Sequence, residues 1–247
     1  MLLRNMFSRR WWIATLLVFI GTLVLIRLGI WQLDRLETRR AFNAQVESSR
    51  ALQILDLNQE RPQNLIEMEW RAVHVFGQYD FENQVALRNK YRGEEYGYHL
   101  LTPLLISGTA VLVDRGWIPA DDNSAPEDWR KYDDVGEVRV EGQIRLGQVK
   151  PAYGGVADAL PRDGLRLEVW NNADVARIAE QLPYPILPIY IQPNVEGADS
   201  TPPIPFQPEL DLTEGSHFGY ALQWFTFAAI LFGGYPFFLR QQELKAK

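Results

Sequence analysis

HFGYALQWFTFAAILFGGYPFFL, residues 217–239, is the stretch on which the fold turns. Its 23 residues contain no Asp, Glu, Lys or Arg. A helix rising about 1.5 Å per residue over that length crosses a hydrocarbon core of roughly 30 Å, so the stretch reads as a transmembrane helix. His217 opens it, and Tyr220 and Trp224 follow at i+3 and i+7 on the same helical face. A neutral imidazole in that place can coordinate a metal. The same three residues also suit an interface simply because aromatic and polar groups gather where the bilayer meets water.

A second apolar run lies at the other end of the chain. Arg4, Arg9 and Arg10 precede WWIATLLVFIGTLVLI (11–26), and after Arg27 the apolar character resumes to Leu33. A basic start and an apolar core also describe a signal peptide, but no small-x-small cleavage site follows. Residues 11–33 therefore read as an uncleaved transmembrane helix, with 1–10 as a short tail. Arg27 either extends to the headgroups or faces the second helix and pairs there with an anion. Arg240, Lys245 and Lys247 follow the second span, and no Lys or Arg occurs from Ile178 to Leu239. The positive-inside rule then places both termini, 1–10 and 240–247, in the cytoplasm and translocates residues 34–216. Arg35, Arg39 and Arg40, just outside the first span, work against that orientation.

The translocated part is acidic, with 30 Asp and Glu against 18 Lys and Arg between Asp34 and Ser216. A net charge of −12 there disfavours nucleic acid and anionic lipid as partners. Cysteine is absent, which excludes disulfides, thiolate metal sites and CxxCH haem attachment. Three His and three Met, scattered, make a copper-delivery site a poor fit.

Residues 34–57 have helical composition and extend the first helix toward Pro62. Short segments rich in branched and aromatic residues follow at 70–76, 84–90, 98–106, 110–114, 137–146 and 186–192, separated by turn formers. Asn172 is placed to cap a short helix over ADVARIAEQL (173–182). The sum is an α+β fold: two terminal transmembrane helices flanking a mainly antiparallel β extracytoplasmic domain (34–182). Pro183–Pro208 holds 8 of the 15 prolines, so 183–216 reads as a stiff, extended return segment with one strand. Enzyme constellations such as GxSxG, HExxH or a phosphate-binding glycine loop are missing, so the chain does not read as an enzyme. Three patterns stand out: GQYDFEN, where Gly77 permits a bend after a strand; EYGYHLLTPL, where Pro103 suggests an edge; and VLVDRGWIP, where the strand ends at Asp114 and Arg115 and Gly116 turns the chain. Turn chemistry and packing account for each. A functional reading makes Arg115 a carboxylate clamp, for instance for a haem propionate, and Trp117 an aromatic wall.

Taken in order, LGIWQLDRL, GQYD, YGYHLLTPL, VLVDRGWIP, EVRVEGQIRL and HFGYALQWFTFAA between two terminal helices make the chain similar to the Surfeit locus protein 1 family of cytochrome c oxidase assembly proteins. The resemblance implies a role in maturing oxidase subunit I, where haem a is inserted. It also implies subunit I and haem A synthase as partners, while the short tail before the first span, with little room for a transit peptide, points to a bacterial inner or plasma membrane. It further implies transient haem a binding, with the His at the start of the second helix as the iron ligand. That position is His217, with Tyr220 and Trp224 as cofactor neighbours. Glu214, Gly215 and Ser216 ahead of it lack the basic or amide residues expected for contacts to an anion. The alternative is a haem-free scaffold that stabilises a subunit I intermediate.

Overall fold

A computed structural model describes residues 6–149, 157–159, 161, 165–195, 201–207 and 210–245. Arg4 and Lys247 of the cationic flanks, and Pro208 of the proline-rich segment, lie outside the described residues. In chain order the elements are α1 (Trp12–Arg50), β1 (Leu55–Asp56), β2 (Ala72–Tyr79), β3 (Val85–Arg92), β4 (Glu95–Ile106), β5 (Thr109–Pro119), β6 (Glu137–Arg145), β7 (Val169–Trp170), α2 (Val175–Ala179), β8 (Ile186–Pro193) and α3 (His217–Lys245). They fall into two compact units, Met1–Gln45 with Asp211–Lys247, and Val46–Leu210.

The first unit is an antiparallel helix pair. Both helices are long and apolar enough to cross a membrane. Buried positions recur every seven residues, Thr22, Gly29, Leu36 and Asn43 on α1 and Ala221, Ala228 and Tyr235 on α3, with Leu239 buried one turn further on. That is the period of two helices meeting along one seam. Small residues let the backbones approach: a Cβ on Gly29 would stand 2.6 Å from the Phe225 ring. Near the chain ends the seam closes with Thr15 Oγ1 2.7 Å from the Tyr235 hydroxyl and Trp11 edge-on to Phe238. Arg27 lies off the seam, 69% exposed and 4.0 Å from Asp34, so it does not pair with α3. The helix also ends at Arg50 and does not continue to Pro62, because Leu55 is needed in β1, where it is buried and pairs in parallel with Val73.

The second unit is a mixed eight-stranded sheet in the order β1-β2-β6-β8-β5-β4-β3-β7. The pairs β2–β6, β6–β8, β4–β5 and β3–β4 run antiparallel, while β1–β2, β5–β8 and β3–β7 run parallel. An additional antiparallel pairing, Gln78↔Leu105 and Tyr79↔Leu104, joins β2 to β4 and closes five strands into a small barrel. Gly77 is a member of β2 at this seam and does not bend the chain after it. A Cβ there would fall under 3.0 Å from the Leu105 carbonyl oxygen. The period-two alternation of strands fills the interior: Val73 and Val75, Leu104 and Ile106, Val111 and Val113, and Ile189 and Ile191 form one buried cluster. Leu112, between two inward residues, points the other way and packs with Trp170, Val175 and Ile178 under α2. Each such side chain contributes roughly 1.5–3 kcal/mol by leaving water.

Three local expectations are corrected. Pro103 is not on an edge strand, since β4 is paired on both sides; it sits where β4's neighbour changes from β3 (Val85↔Leu101) to β2 (Tyr79↔Leu104). A missing N–H costs little at that junction, and the Pro103 carbonyl still accepts from Asp80 N–H at 2.8 Å. β5 does not stop at Arg115 but runs to Pro119, with a bulge that shifts its register against β4 between Leu100 and Leu101. The cap of α2 is Asp174, whose Oδ1 accepts from Arg177 N–H at 3.3 Å, because Asn172 is occupied in bonds to Asp158.

Candidate functional site

His217 is the first residue of α3, half-buried on the seam side four residues before Ala221. Its Nδ1 lies 2.9 Å from Gln32 Oε1 on α1. A carbonyl oxygen only accepts, so with Oε1 as partner Nδ1 is the donor, and in a neutral ring Nε2 then carries the lone pair. A hydrogen bond to the second ring nitrogen is how proteins fix the tautomer of a ligating histidine. Gly215 lies beside the ring. Gly215 adopts φ 67°, and a Cβ there would make ordinary van der Waals contact with the ring, 3.5 Å from Cδ2 and 3.7 Å from Nε2. Glycine is the residue for that conformation.

The other two residues on the sequence-derived face sit differently. Trp224 is half-buried and edge-on to Phe227 at 6.2 Å, whereas Tyr220 is 47% exposed, one position off the seam. No contact joins either ring to His217 among the described residues.

The chain just ahead of His217 is clamped to α1. Arg40 Nε and Nη2 bind the two carboxylate oxygens of Glu214 at 2.8 and 2.9 Å. Those bonds hold the Glu214 carboxyl below the usual range. Arg39 pairs with the Asp211 carboxylate at 3.3 Å and donates to the carbonyl oxygens of Asp211 and Thr213, and Asn43 donates to Leu212 O. Arg39 and Arg40 are thus engaged in fixing 211–214, and the anion contacts missing ahead of His217 are not supplied by them.

In the barrel the motif residues interlock. His99 (4% exposed) and Asp114 (6%) form a buried pair, Nδ1 to Oδ2 at 3.0 Å, and Asp114 Oδ1 accepts from Gly116 N–H at 3.1 Å. Gly116 has φ 118°, and a Cβ would fall under 3.0 Å from the Ile204 backbone, which passes beside it. Ile204 and Trp117 then exchange two backbone hydrogen bonds of 2.8 Å. Gly97 is equally constrained, because the Trp117 indole lies against it. Asp80 of GQYD accepts from Glu82 N–H at 3.1 Å and from the Tyr184 hydroxyl at 2.5 Å. Burial and this carboxylate together push the Tyr184 hydroxyl well up.

The Arg115 guanidinium lies over the rings of Tyr79 (5.2 Å) and Phe81 (4.9 Å), and its Nη2 donates to the Tyr132 carbonyl. Burial lowers its affinity for the proton, and burial pushes the Tyr79 hydroxyl up to about 12. The sequence reading missed the His99–Asp114 pair and Gln32. All three lie inside stretches already singled out, YGYHLLTPL, VLVDRGWIP and LGIWQLDRL, and only pairing distance was lacking to join them.

Against known proteins, the SURF1 family model matches residues 19–229. The chain is 25% identical over 238 residues to the SURF1-like protein of Rickettsia conorii, covering 91% of this chain and 90% of that one. It is 23% identical to Surfeit locus protein 1 of Arabidopsis thaliana over 95% of this chain and 78% of the relative, and 23% identical to the Gallus gallus protein of that name over 82% and 67%.

Proposed function

This chain belongs to the SURF1 family, and from that premise we propose that it is a membrane-bound assembly factor for cytochrome c oxidase that holds haem a transiently at His217 before its insertion into subunit I. One observation carries the reading: His217 has Nδ1 turned to Gln32, while Nε2 stands beside a glycine. Haem a, when bound, would supply an iron that accepts a nitrogen ligand. His217 would be that ligand. Gln32 would orient the ring and keep the proton on Nδ1, and Trp224 would cover the apolar side. The apolar helix pair would exclude water, and Tyr220, being exposed, would reach the cofactor only from outside the seam. Subunit I receives the cofactor and haem A synthase supplies it. The setting is a bacterial inner or plasma membrane, with both termini cytoplasmic and the barrel outside.

Full-length protein purified from a host that makes haem A should carry a haem a spectrum at a fixed ratio to protein. Gln32→Leu should lower haem retention about 10- to 100-fold, the range for outer partners of a ligating histidine, and displace the absorbance maxima. Unchanged retention and spectrum in that variant would contradict the role of Gln32. The second reading is the haem-free scaffold. It is favoured by Gly233 and Gly234, beside which a Cβ would meet nothing within 4 Å, so a helix of subunit I could approach closely there. Co-purification of subunit I with a haem-free protein would select it.

A further inference from the structure

On one side of their seam the two long helices leave a groove. A cavity of about 430 Å³ lies between Phe19, Leu23 and Ile26 of α1 and Phe225, Ala229 and Phe232 of α3. Its floor reaches the seam itself, at Thr22 (7% exposed) and Ala228 (5%). The Thr22 hydroxyl donates to the Val18 carbonyl at 2.8 Å within its own helix, so it needs no partner from the groove. Gly29 shapes one end: a Cβ there would stand 2.6 Å from the Phe225 ring, and the glycine lets that ring lie across α1. The two alanines give the groove its depth, since a larger side chain at either would fill it.

Helix geometry relates the groove to His217. Phe225, Ala228 and Phe232 follow the histidine by 8, 11 and 15 positions. At about 100° per residue all three lie within about a quarter turn of it around α3. At about 1.5 Å per residue the groove occupies the interval from roughly 12 to 22 Å along the helix from His217. Small-molecule sites have volumes of about 300–1,000 Å³, and the groove falls at the lower end of that range.

Haem a carries, where haem b has a vinyl group, a hydroxyethyl carbon extended by a farnesyl chain of three isoprene units. Stretched, that chain reaches on the order of 15 Å, half of a hydrocarbon core of about 30 Å. A macrocycle ligated at His217 covers the first part of the interval to Phe225, and the chain is long enough for the rest. We propose that this groove receives the isoprenoid chain of haem a, so that the helix pair selects farnesylated haem over haem b. The assignment rests on the reading of His217 as the iron ligand. A branched chain without polar atoms meets walls of phenylalanine rings and aliphatic side chains. Lipid tails are equally apolar, so the preference comes from packing against a shaped surface, as it does between membrane helices.

The test uses haem-free full-length protein in lipid nanodiscs. It is titrated with haem b and with haem o, which carries the farnesyl chain without the formyl group of haem a, and absorbance is read against nanodiscs lacking protein. Haem o should bind about tenfold more tightly than haem b, a modest preference because packing alone supplies it. Ala229→Phe, which fills the groove from α3, should abolish most of that difference through a loss for haem o, and Leu23→Trp should do the same from α1. Both positions are exposed, and a folding failure in one variant leaves the other. His217→Ala should weaken both haems alike. Equal affinity for haem o and haem b in the unaltered protein would overturn the groove assignment and leave the ligand role of His217 standing. So would a preference that survives both filled variants, and a lipid acyl chain or a partner helix would then be the occupant. Binding of neither haem, or binding that His217→Ala leaves unchanged, would overturn the reading of His217 and the groove assignment with it.

Discussion

In the sheet unit, the motif residues Asp80 and Asp114 each accept hydrogen bonds from at least two groups, and these bonds hold strands and turns together. In the helix pair the polar residues are fewer, and one of them, His217, commits a single ring nitrogen and leaves the other. The contrast teaches that a striking motif is weak evidence of chemistry when its side chains satisfy one another. VLVDRGWIP and YGYHLLTPL read in sequence chiefly as turns and packing, and in the structure their side chains join strands and turns. In SHFGYALQWF, the stretch that the sequence reading singled out, His217 hydrogen-bonds through Nδ1 to Gln32.

The largest effect that would break this contrast lies at Gly116. Gly116→Val should collapse the joint with Ile204, because the side chain meets backbone and the positive φ is unfavourable, at a cost of about 3 kcal/mol or more. The check is the denaturation midpoint of the barrel followed by tryptophan fluorescence; an unshifted midpoint would deny the joint. Asp114→Ala comes next. It leaves buried His99 without its partner and frees Gly116 N–H, which should cost about 1–3 kcal/mol by the same measurement. If Asp114→Ala instead abolished haem retention with the barrel intact, the motif would be a site after all.

The order of strands and helices was largely legible. Charge-free length identified the second span, and alternation with turn formers marked six of the eight strands. What sequence could not supply was closure. Nothing local announces that Gly77 and Leu105 meet, or that β8, drawn from the proline-rich segment, stands between β5 and β6. The two-residue strands β1 and β7 are too short for periodicity to register. Arg115–Gly116 misled for a similar reason: a positive-φ glycine inside a bulged strand reads as a turn until its partner is known. Gln32 was invisible as a partner because it lies 185 positions from His217.

The smallest effect concerns the clamp ahead of His217. Glu214 has its carboxyl lowered by the paired bonds from Arg40, so its contribution is complete above the ordinary glutamate range and disappears as pH falls through the lowered value. Amide exchange at 211–214 should therefore quicken on acidification, and Glu214→Gln should flatten that dependence. The pair is exposed, so the expected change in overall stability is minor. A large loss of fold on acidification traced to Glu214 would move the anchor of the helix pair from its seam to this clamp.

The most direct measurement is the reduced and oxidised visible spectrum of unaltered and His217→Ala full-length protein, both purified from cells that make haem A. The account predicts a haem a signal in stoichiometric proportion for the first and its loss for the second, with equal yield and equal barrel denaturation midpoints. A haem a signal of the same size and position in His217→Ala would contradict it.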